Sequence, residues 1–267
     1  MGTPFITFLG PSDLSGYNRK LSSSEQSSVI PRTFIDAMEV REQVFVEEQK
    51  IPLENEFDAD DHRSCHWVIY ASVNTVTEPE IKDSSGRIVS RKKSVTRSTP
   101  IGTVRLVPFP HPAHPEPGSK YSDAVDAGAN PASIEPPPYI ADRATTYHDG
   151  REPYLKLGRL AVLKEFRRSG IAKMLVGAAM AWAQQNPTLF NPRITVSGLD
   201  KVTTEMNGEI PVWRGLLCVH AQKQVQKTWE RWGFKLDEGM GEWDEEGIEH
   251  VGMFMRLEYL SPYVISS

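Results

Sequence analysis

The stretch RLAVLKEFRRSGIAKML, Arg159 to Leu175, passes from an apolar segment through two adjacent arginines and a glycine into a helical pattern. The first part is typical of a strand, and the apolar residues after the glycine recur at the spacing of a core-facing helix. The amides that open a helix lack partners and carry a partial positive charge, while glycine lets a ligand approach the backbone. The junction therefore predicts a binding seat for a polyanion such as a phosphate compound.

The composition indicates that any such anion site is local. The chain has 267 residues and a formal net charge of -5, so it can bury a sizeable core but has no long-range field that attracts nucleic acid or anionic membrane. We expect neither as a partner. Cys65 and Cys218 lie in apolar runs, as buried thiols do in a reducing compartment. Without a secretion signal or an apolar run of ~18 residues, the sequence predicts a cytoplasmic or nucleocytosolic protein.

The order of the patterns predicts one α/β domain over residues 1–267, built around a mixed sheet. A helix is predicted at Arg32–Glu48, with Phe34 and Met38 on one apolar stripe, and Pro52 ends it. Strands are predicted at 66–73, 101–109, 154–163, 213–221, 234–239 and 248–259, with helices from 171 and at 222–232.

One flexible loop and two insertions are predicted within this domain. Residues 74–100 are rich in Ser, Thr and charge and predict a flexible loop, whose Arg-Lys-Lys run is a solvated stretch or, as an alternative, a nuclear address. The Pro-rich segment 111–150 is too long for an ordinary connection, and is either a lid over a site or a disordered excursion. Residues 186–211 form a second insertion, with a short strand predicted at RITVSG.

Several motifs resemble those of the GCN5-related N-acetyltransferases, the GNAT superfamily. The run from Arg167 to Ala172 resembles its R/Q-x-x-G-x-G/A signature, and His220–Phe234 is similar to its later strand-helix segment ending in Y-E-x-x-G-F. Val40–Asp61 and Asp244–Met253 are similar to a small single-domain subgroup of that family. The resemblance covers the core and neither long insertion. It implies a mixed, mostly antiparallel central sheet flanked by helices, with two central strands splayed apart at the coenzyme site.

The resemblance also implies acetyl-coenzyme A as cosubstrate, with no metal. Amides of the glycine loop would hold the diphosphate, and main-chain groups of the preceding strand would pair with the pantetheine arm. The candidate coenzyme-binding residues are Leu160, Ala161, Val162, Arg167, Arg168, Ser169, Gly170, Ile171, Ala172, Lys173, Gln222 and Trp229. As an alternative, the two arginines are solvated charges and the glycine only permits a turn. The dinucleotide pattern G-x-G-x-x-G and the P-loop G-x-x-x-x-G-K-S/T do not fit this junction.

The usual catalytic groups of the family do not carry over to this chain. Many members use a tyrosine in the Y-E-x-x-G-F helix as an acid, but the matching residue here is Trp229, whose indole cannot donate a proton as an acid. We expect this ring to pack against either core or coenzyme. Lys156 stands near the position of the glutamate base of histone-type members, so no base is transferred either.

Two histidines and two carboxylates are the candidate catalytic residues. His220 ends a strand beside the expected gap, and a pKa near ~6.5 suits a base at neutral pH; the alternative is a hydrogen-bonded histidine without a catalytic role. His250 in the last strand is the second candidate. Glu56 and Asp58, in an acidic run, would attract a protonated amine and relay its proton through water, unless the run is simply a solvated loop.

We therefore expect transfer of acetyl from acetyl-coenzyme A to a primary amine of a small molecule, such as an amino sugar, polyamine or amino acid, by direct attack in a ternary complex. One alternative is a non-catalytic protein that binds or senses acyl-coenzyme A, motivated by the missing tyrosine. A further alternative is a protein N-acetyltransferase. The sequence leaves the oligomeric state open, a homodimer included.

Overall fold

The computed structural model describes residues 4–122, 125–126, 129–191, 198 and 211–258. Its helices are α1 (Arg32–Arg41), which continues directly into a π-helical segment (Glu42–Glu48), α2 (Leu53–Glu56), α3 (Ile171–Gln185) and α4 (Gln226–Arg231). Its strands are β1 (Phe5–Leu9), β2 (Cys65–Glu78), β3 (Ile81–Lys82), β4 (Ile88–Ser90), β5 (Lys93–Val107), β6 (Lys120–Tyr121), β7 (Leu155–Val162), β8 (Leu216–Gln222), β9 (Lys235–Leu236), β10 (Glu242–Glu245) and β11 (Ile248–Arg256).

The main sheet has the strand order β1-β2-β5-β7-β8-β11-β10-β6, and β9 pairs with β11. Its described strand pairs are antiparallel, except that β7 runs parallel to β8 and β10 runs parallel to β6. The expected mixed, mostly antiparallel sheet flanked by helices is thus confirmed.

Helices cover both faces of the sheet because its central strands are apolar on alternate sides. Along β2, Ile69 joins the cluster that contains Leu175 of α3, whereas its neighbour Val68 packs with Ala37 of α1. Successive residues of a strand point to opposite faces, so α1 and α3 lie on opposite sides. The apolar stripe of α3 is buried at Ile171, Leu175, Val176, Ala179 and Ala183.

The structure differs from the loop predicted at 74–100. Here β2 and β5 continue past the sheet as an antiparallel ribbon, from Cys65 opposite Leu106 to Glu78 opposite Lys93, and β3 and β4 pair beyond it. The prediction relied on the scarcity of apolar residues. A ribbon of this kind is held by main-chain hydrogen bonds, and its Thr, Val and Ser residues adopt extended backbone without needing a core.

Besides the short β6 in the Pro-rich segment, two strands of the main sheet were absent from the sequence-based prediction. One is β1, which pairs with β2 at the edge of the sheet. The other is β10, which forms a hairpin with β11 through Glu246 and Gly247, both with positive φ of 53° and 81°. That backbone is typical of a two-residue hairpin turn.

The Pro-rich segment 111–150 packs against the β11 side of the sheet in its described part. Its buried His114 and His148 contact the rings of Tyr154 and Phe254, and β6 within the segment pairs with β10. The later insertion starts with a 3-10 turn, Pro187–Phe190, whose Phe190 ring packs on Trp213. The strand predicted at RITVSG lies outside the described residues, apart from its final glycine.

Candidate active site

A fork between β7 and β8 forms the centre of the candidate site. The two strands pair from Leu155 opposite Leu217 to Leu157 opposite Val219, but β7 then runs on to Val162 and β8 to Gln222 without further pairing between them. The space that opens beyond the paired part is a cavity of about 450 Å³. The strands thus diverge as the sequence analysis expects.

A β-bulge in β7 lies at the start of the fork. Arg105 of β5 faces Gly158, and Thr103 faces Ala161, so β7 uses one residue more than β5 over this interval. Arg159 inside the bulge has a φ of 47°, a left-handed backbone that residues other than glycine seldom adopt. Bulges bend a strand and increase its twist, which turns β7 away from β8.

Two buried carboxylates hold the bulged residue in place. The guanidinium of Arg159 lies 2.7 Å from a carboxylate oxygen of Asp58 and 3.4 Å from one of Glu56. These side chains come from the segment that follows the π-helical turn, so the ion pairs join that segment to the bend in β7. The left-handed backbone is therefore anchored through its own side chain.

On the coenzyme side, β7 leads through a 3-10 turn, Lys164–Phe166, into α3. Arg168 and Gly170 have φ values of 63° and 86°, and the first amide bond of the helix runs from Met174 to the Gly170 carbonyl at 3.0 Å. The amides of residues 171–173 therefore have no intrahelical acceptor. Among the described residues, no atom lies within 4 Å of where a side chain on Gly170 would begin, so this surface is open to a ligand.

The side chain of Arg167 is already engaged at this junction. Its Nε donates to the Val162 carbonyl at 2.9 Å, and its Nη2 lies 2.8 Å from the carboxylate of Glu48 at the end of the π-helical segment. Arg168 beside it is exposed. The Arg167 charge is thus largely committed to Glu48, which leaves the backbone amides and the exposed Arg168 for an anion.

The cavity wall contains part of the predicted coenzyme set. Within the described chain, the wall includes Leu160, Ala161, Val162, Arg167, Ala172, Gln222 and Trp229. Arg168, Ser169, Gly170, Ile171 and Lys173 belong to the helix start and are not part of that wall. Across the fork, the Gln222 amide donates to the Gln49 side-chain oxygen at 3.0 Å, which links β8 to the end of the π-helical segment.

Trp229 lies at the boundary between the apolar core and the cavity, so it can contact both core and coenzyme as the sequence analysis considers. It is buried, with ring centroids 5.1 Å from both Trp232 and Phe234 in edge-on contacts, and it belongs to the main apolar core. The same residue also lines the cavity. An indole at this position supplies an apolar wall and no titratable proton.

The opposite side of the cavity brings His220, Glu245 and His250 together. Nδ1 of His220 lies 3.7 Å from one carboxylate oxygen of Glu245, and Nδ1 of His250 lies 3.6 Å from the other. His250 Nδ1 also donates to the Ile248 carbonyl at 2.8 Å. The ring of Trp243 packs edge-on against His220 at 4.9 Å. One carboxylate is therefore placed between two imidazoles that both line the cavity.

The charges in this group follow from burial and proximity. Burial lowers the pKa of His220 below its usual 6.5, and the Glu245 carboxylate only partly offsets this, so the ring is neutral at neutral pH. Burial alone would raise the pKa of Glu245, but His220, His250 and Lys156 outweigh it and hold that pKa at about 2. A neutral imidazole beside an ionised carboxylate can accept a proton.

Glu56 and Asp58 lie in a buried ion-pair network that we call the arginine network. Arg41 binds Glu56 at 2.6 Å and Asp61 at 2.7 Å, and Arg105 binds Asp58 at 2.6 Å and Asp61 at 2.8 Å. With Arg159, three guanidinium groups face three carboxylates. Glu56 reaches the cavity wall and Asp58 does not. The catalytic role of Glu56 and Asp58 stays a prediction, because the contacts of their carboxylates are ion pairs with the buried arginines.

The network is electrostatically strong because its members are almost inaccessible to water. Burial opposes ionisation of Asp61, yet Arg41 and Arg105 outweigh it and hold its pKa far below the usual range. Arg41 is only 1% exposed, and its guanidinium also donates to the Glu56 carbonyl. Buried charges of this kind persist only when each is paired.

Sequence reasoning missed Glu245 and Arg159. Glu245 directly precedes the Glu246-Gly247 turn, and its place beside His220 depends on β10, which the sequence-based prediction lacked. Arg159 was read as one strand residue among others, because a left-handed bulge leaves no local signal at a non-glycine position. None of the described helices is long and apolar enough to cross a membrane.

Comparisons with known proteins complete the description. Solved structures similar to this chain include a candidate N-acetyltransferase from Lactobacillus plantarum (19% identity, 96% of this chain and 100% of that chain covered, TM-score 0.47). An acyl-CoA N-acyltransferase from Pseudomonas aeruginosa is also similar (14% identity, 94% of this chain and 99% of that chain covered, TM-score 0.44). So is Escherichia coli ElaA (14% identity, 95% of this chain and 100% of that chain covered, TM-score 0.42). No curated protein sequence matches the chain.

The family comparison covers the β7 side of the fork. Residues 38–191 match the model described as the acetyltransferase (GNAT) family, a span that includes the end of α1, the bulge in β7 and the whole of α3 but stops before β8. The match extends over more than half of the chain, which confirms the resemblance read from the motifs. The protein belongs to the GNAT family of acetyltransferases.

Proposed function

We propose that the protein transfers acetyl from acetyl-coenzyme A to a primary amine of a small molecule, by direct attack in a ternary complex. Membership of the family supports acyl-coenzyme A-dependent N-acyl transfer in general. One observation carries the finer proposal: a single cavity extends from the main chain of Leu160–Val162 to His220 and Glu245 across the fork. A thioester held along β7 and an amine held near His220 would meet where the strands part.

The coenzyme side of this proposal rests on backbone groups. The amides of residues 171–173 and the dipole of α3, a helix of 15 residues, suit a diphosphate. Past Leu157 the β8-facing edge of β7 has lost its strand partner, so it can pair with the amides of an extended pantetheine arm. Coenzyme A supplies the activated acyl group; the protein supplies alignment, which alone accounts for much of the rate in such transfers.

His220 is the proton acceptor in this proposal. The attacking amine must be neutral, so a protonated acceptor first loses a proton. His220 lines the cavity and is neutral at neutral pH because burial lowers its pKa. The carboxylates of Glu245 and Glu246, which line the cavity and lie outside the arginine network, favour a cationic acceptor, such as an amino sugar or a polyamine.

The replacement of the family tyrosine by Trp229 favours one competing function, a protein that binds acyl-coenzyme A without turning it over. A thiol-release assay over a panel of amines, beside calorimetric titration of acetyl-coenzyme A, separates the two. Release of thiol with at least one amine supports catalysis, and binding without release on any amine contradicts it. A lysine-containing peptide belongs in the panel, because the described residues of segment 111–150 do not line the cavity and leave room for a larger acceptor.

A pair of variants tests the proton acceptor. His220→Ala should reduce turnover while leaving the dissociation constant of acetyl-coenzyme A unchanged. His62→Ala is the matched control, because that ring lies outside the cavity wall. Unchanged turnover in His220→Ala would remove His220 from the mechanism.

A further inference from the structure

Glu245 is an ionised carboxylate of the cavity wall that lies beside two histidines and also accepts from the Trp243 indole N–H at 3.4 Å. Its side chain is 17% exposed and those of His220 and His250 are each 11% exposed. It is the last residue of β10, directly before the left-handed turn into β11. The hairpin places Glu245 opposite Ile248, and its carboxylate reaches to within 3.7 Å of His220, which stands opposite Gly252 further along β11.

The geometry settles which nitrogen of His220 faces the carboxylate. Nδ1 is the atom 3.7 Å from Glu245, and it has no hydrogen-bond partner among the described residues although it is buried. A proton on Nδ1 faces the negative carboxylate, and this tautomer leaves the lone pair on Nε2. Nε2 is then the atom that can receive a proton from an acceptor amine.

We propose that Glu245 is a positioning residue, which keeps His220 in the Nδ1-protonated tautomer and stabilises the imidazolium that forms when the amine gives up its proton. This inference rests on the proposed function, and it adds a residue that neither the motifs nor the family match assigns. In the step itself, the N–H proton of the amine passes to Nε2. The freed electron pair forms the bond to the acyl carbon, the C–S bond breaks with its electrons on sulfur, and the surplus proton of the new amide nitrogen passes to the thiolate to give the free thiol of coenzyme A.

The contact is expected to tighten during the reaction. At 3.7 Å the neutral pair is too long for a hydrogen bond, but a positive charge on the ring attracts the carboxylate directly. His250 shares the same carboxylate from β11, at 3.6 Å. Glu245 is thus poised to compensate a charge on either ring.

The other groups around His220 either lower its pKa, against the effect of Glu245, or carry no charge. Lys156 on β7 and His250 on β11 both act to lower the pKa of His220, and Glu245 on β10 is the carboxylate that raises it. Tyr121 of β6 and Trp243 of β10 contact the ring edge-on and carry no charge. Among the groups just named, those that act on the His220 pKa once the Glu245 charge is removed disfavour protonation.

Glu245→Gln tests the proposal, with Glu249→Gln as the matched control. Glu249 lies on the same hairpin but is exposed and pairs with Lys223 at 3.5 Å. In Glu245→Gln we expect kcat to fall by about 10- to 100-fold, with little change in the amine KM or in acetyl-coenzyme A affinity. The acidic limb of the pH profile of kcat should move to lower pH, because the carboxylate no longer raises the pKa of His220. Glu245→Asp should recover part of the activity, and Glu249→Gln should match wild type.

Titration of the histidine ring signals by NMR gives a readout that needs no substrate. In Glu245→Gln the His220 pKa should drop by about one unit relative to wild type. If no amine is turned over by the wild-type protein, the proposed function fails while this titration still decides whether Glu245 acts on His220. An unchanged His220 titration, in Glu245→Gln or, should that variant not fold, in Glu245→Asp, overturns the inference. A higher amine KM with unchanged kcat also overturns it, since it would make Glu245 a binding group for the acceptor.

Discussion

The two sides of the fork are built in different ways. The coenzyme side comes from one continuous stretch, residues 159–175, and presents main-chain amides and carbonyls. The acceptor side combines the side chains of His220 on β8, Glu245 on β10 and His250 on β11. A site made of backbone depends on local conformation, whereas a site made of side chains depends on the register of distant strands.

The arginine network, which anchors the bend in β7 through Arg159, offers the most severe way to disturb the fork. Asp61→Asn leaves Arg41 and Arg105 short of a carboxylate in a buried site, so the free energy of unfolding should fall by about 3 to 5 kcal/mol. Urea denaturation measures the change. The neighbouring exposed Glu54→Gln should stay within about 0.5 kcal/mol of wild type. A loss in Asp61→Asn as small as that of the control would mean that the network adds little to stability.

Acid should weaken the same region through His66. Burial lowers the pKa of His66 to about 4, and its Nε2 donates to the Asp61 carbonyl at 2.9 Å. Above pH ~6.5 both folded and unfolded chains keep this ring neutral; as pH falls towards 4 only the unfolded chain takes up the proton. The unfolding free energy should therefore decrease over that window, by on the order of 3 kcal/mol from this residue.

Urea denaturation of His66→Gln at several pH values checks this expectation. The variant should lose some stability at pH 7.5 but show a shallower decline towards pH 4.5, because its side chain does not titrate. A decline as steep as that of wild type would show that other groups cause the acid sensitivity.

A smaller effect is expected on the coenzyme side, where a glycine can be changed without touching the core. Gly170→Val places a β-branched side chain at a φ of 86°, which costs about 1 to 2 kcal/mol. If the ligand-binding conformation needs that backbone, the affinity for acetyl-coenzyme A should weaken about tenfold in calorimetric titration. Gly177→Ala, at an exposed position with open space in the same helix, should leave affinity unchanged. Equal affinities in the two variants would argue against a backbone seat.

The mildest change on that side removes an exposed charge. Arg168→Gln should weaken acetyl-coenzyme A binding about two- to fivefold at low salt, because an exposed charge is screened by solvent. The difference from wild type should shrink as salt rises, whereas exposed Lys20→Gln should bind as wild type at every salt concentration. A large, salt-independent loss in Arg168→Gln would indicate a direct, desolvated contact instead.

The same contrast explains how much could be predicted. The strand-to-helix junction at 159–175 has an apolar period, a glycine and a family motif in one stretch, so its fold was accessible from sequence. Glu56 and Asp58 were recognised as important carboxylates, but a run of acidic letters does not reveal that Arg41, Arg105 and Arg159 converge on it from three other elements. Long-range pairing of charges has no local signature.

The hairpin of β10 and β11 shows the same limit. Its turn at Glu246-Gly247 is visible in the sequence, but the polar strand β10 before the turn is not predicted. Without β10, the sequence gives no reason to place Glu245 beside His220. The ribbon at the ends of β2 and β5 was missed for a related reason: its residues pair through the main chain and bury little. Apolar periodicity reports on burial, so it cannot find strands that are held by hydrogen bonds alone.

That ribbon has a practical consequence. Beyond the pair formed by Val73 and Arg97, the ribbon consists of two strands whose described side chains are nearly all exposed. Arg87 and Lys92 lie close to its tip. A two-stranded hairpin is only marginally stable by itself, so this part should exchange its amide hydrogens earlier than the sheet. Trypsin should nick it first, and a fluorescent tag inserted at its tip should leave the rest of the molecule intact.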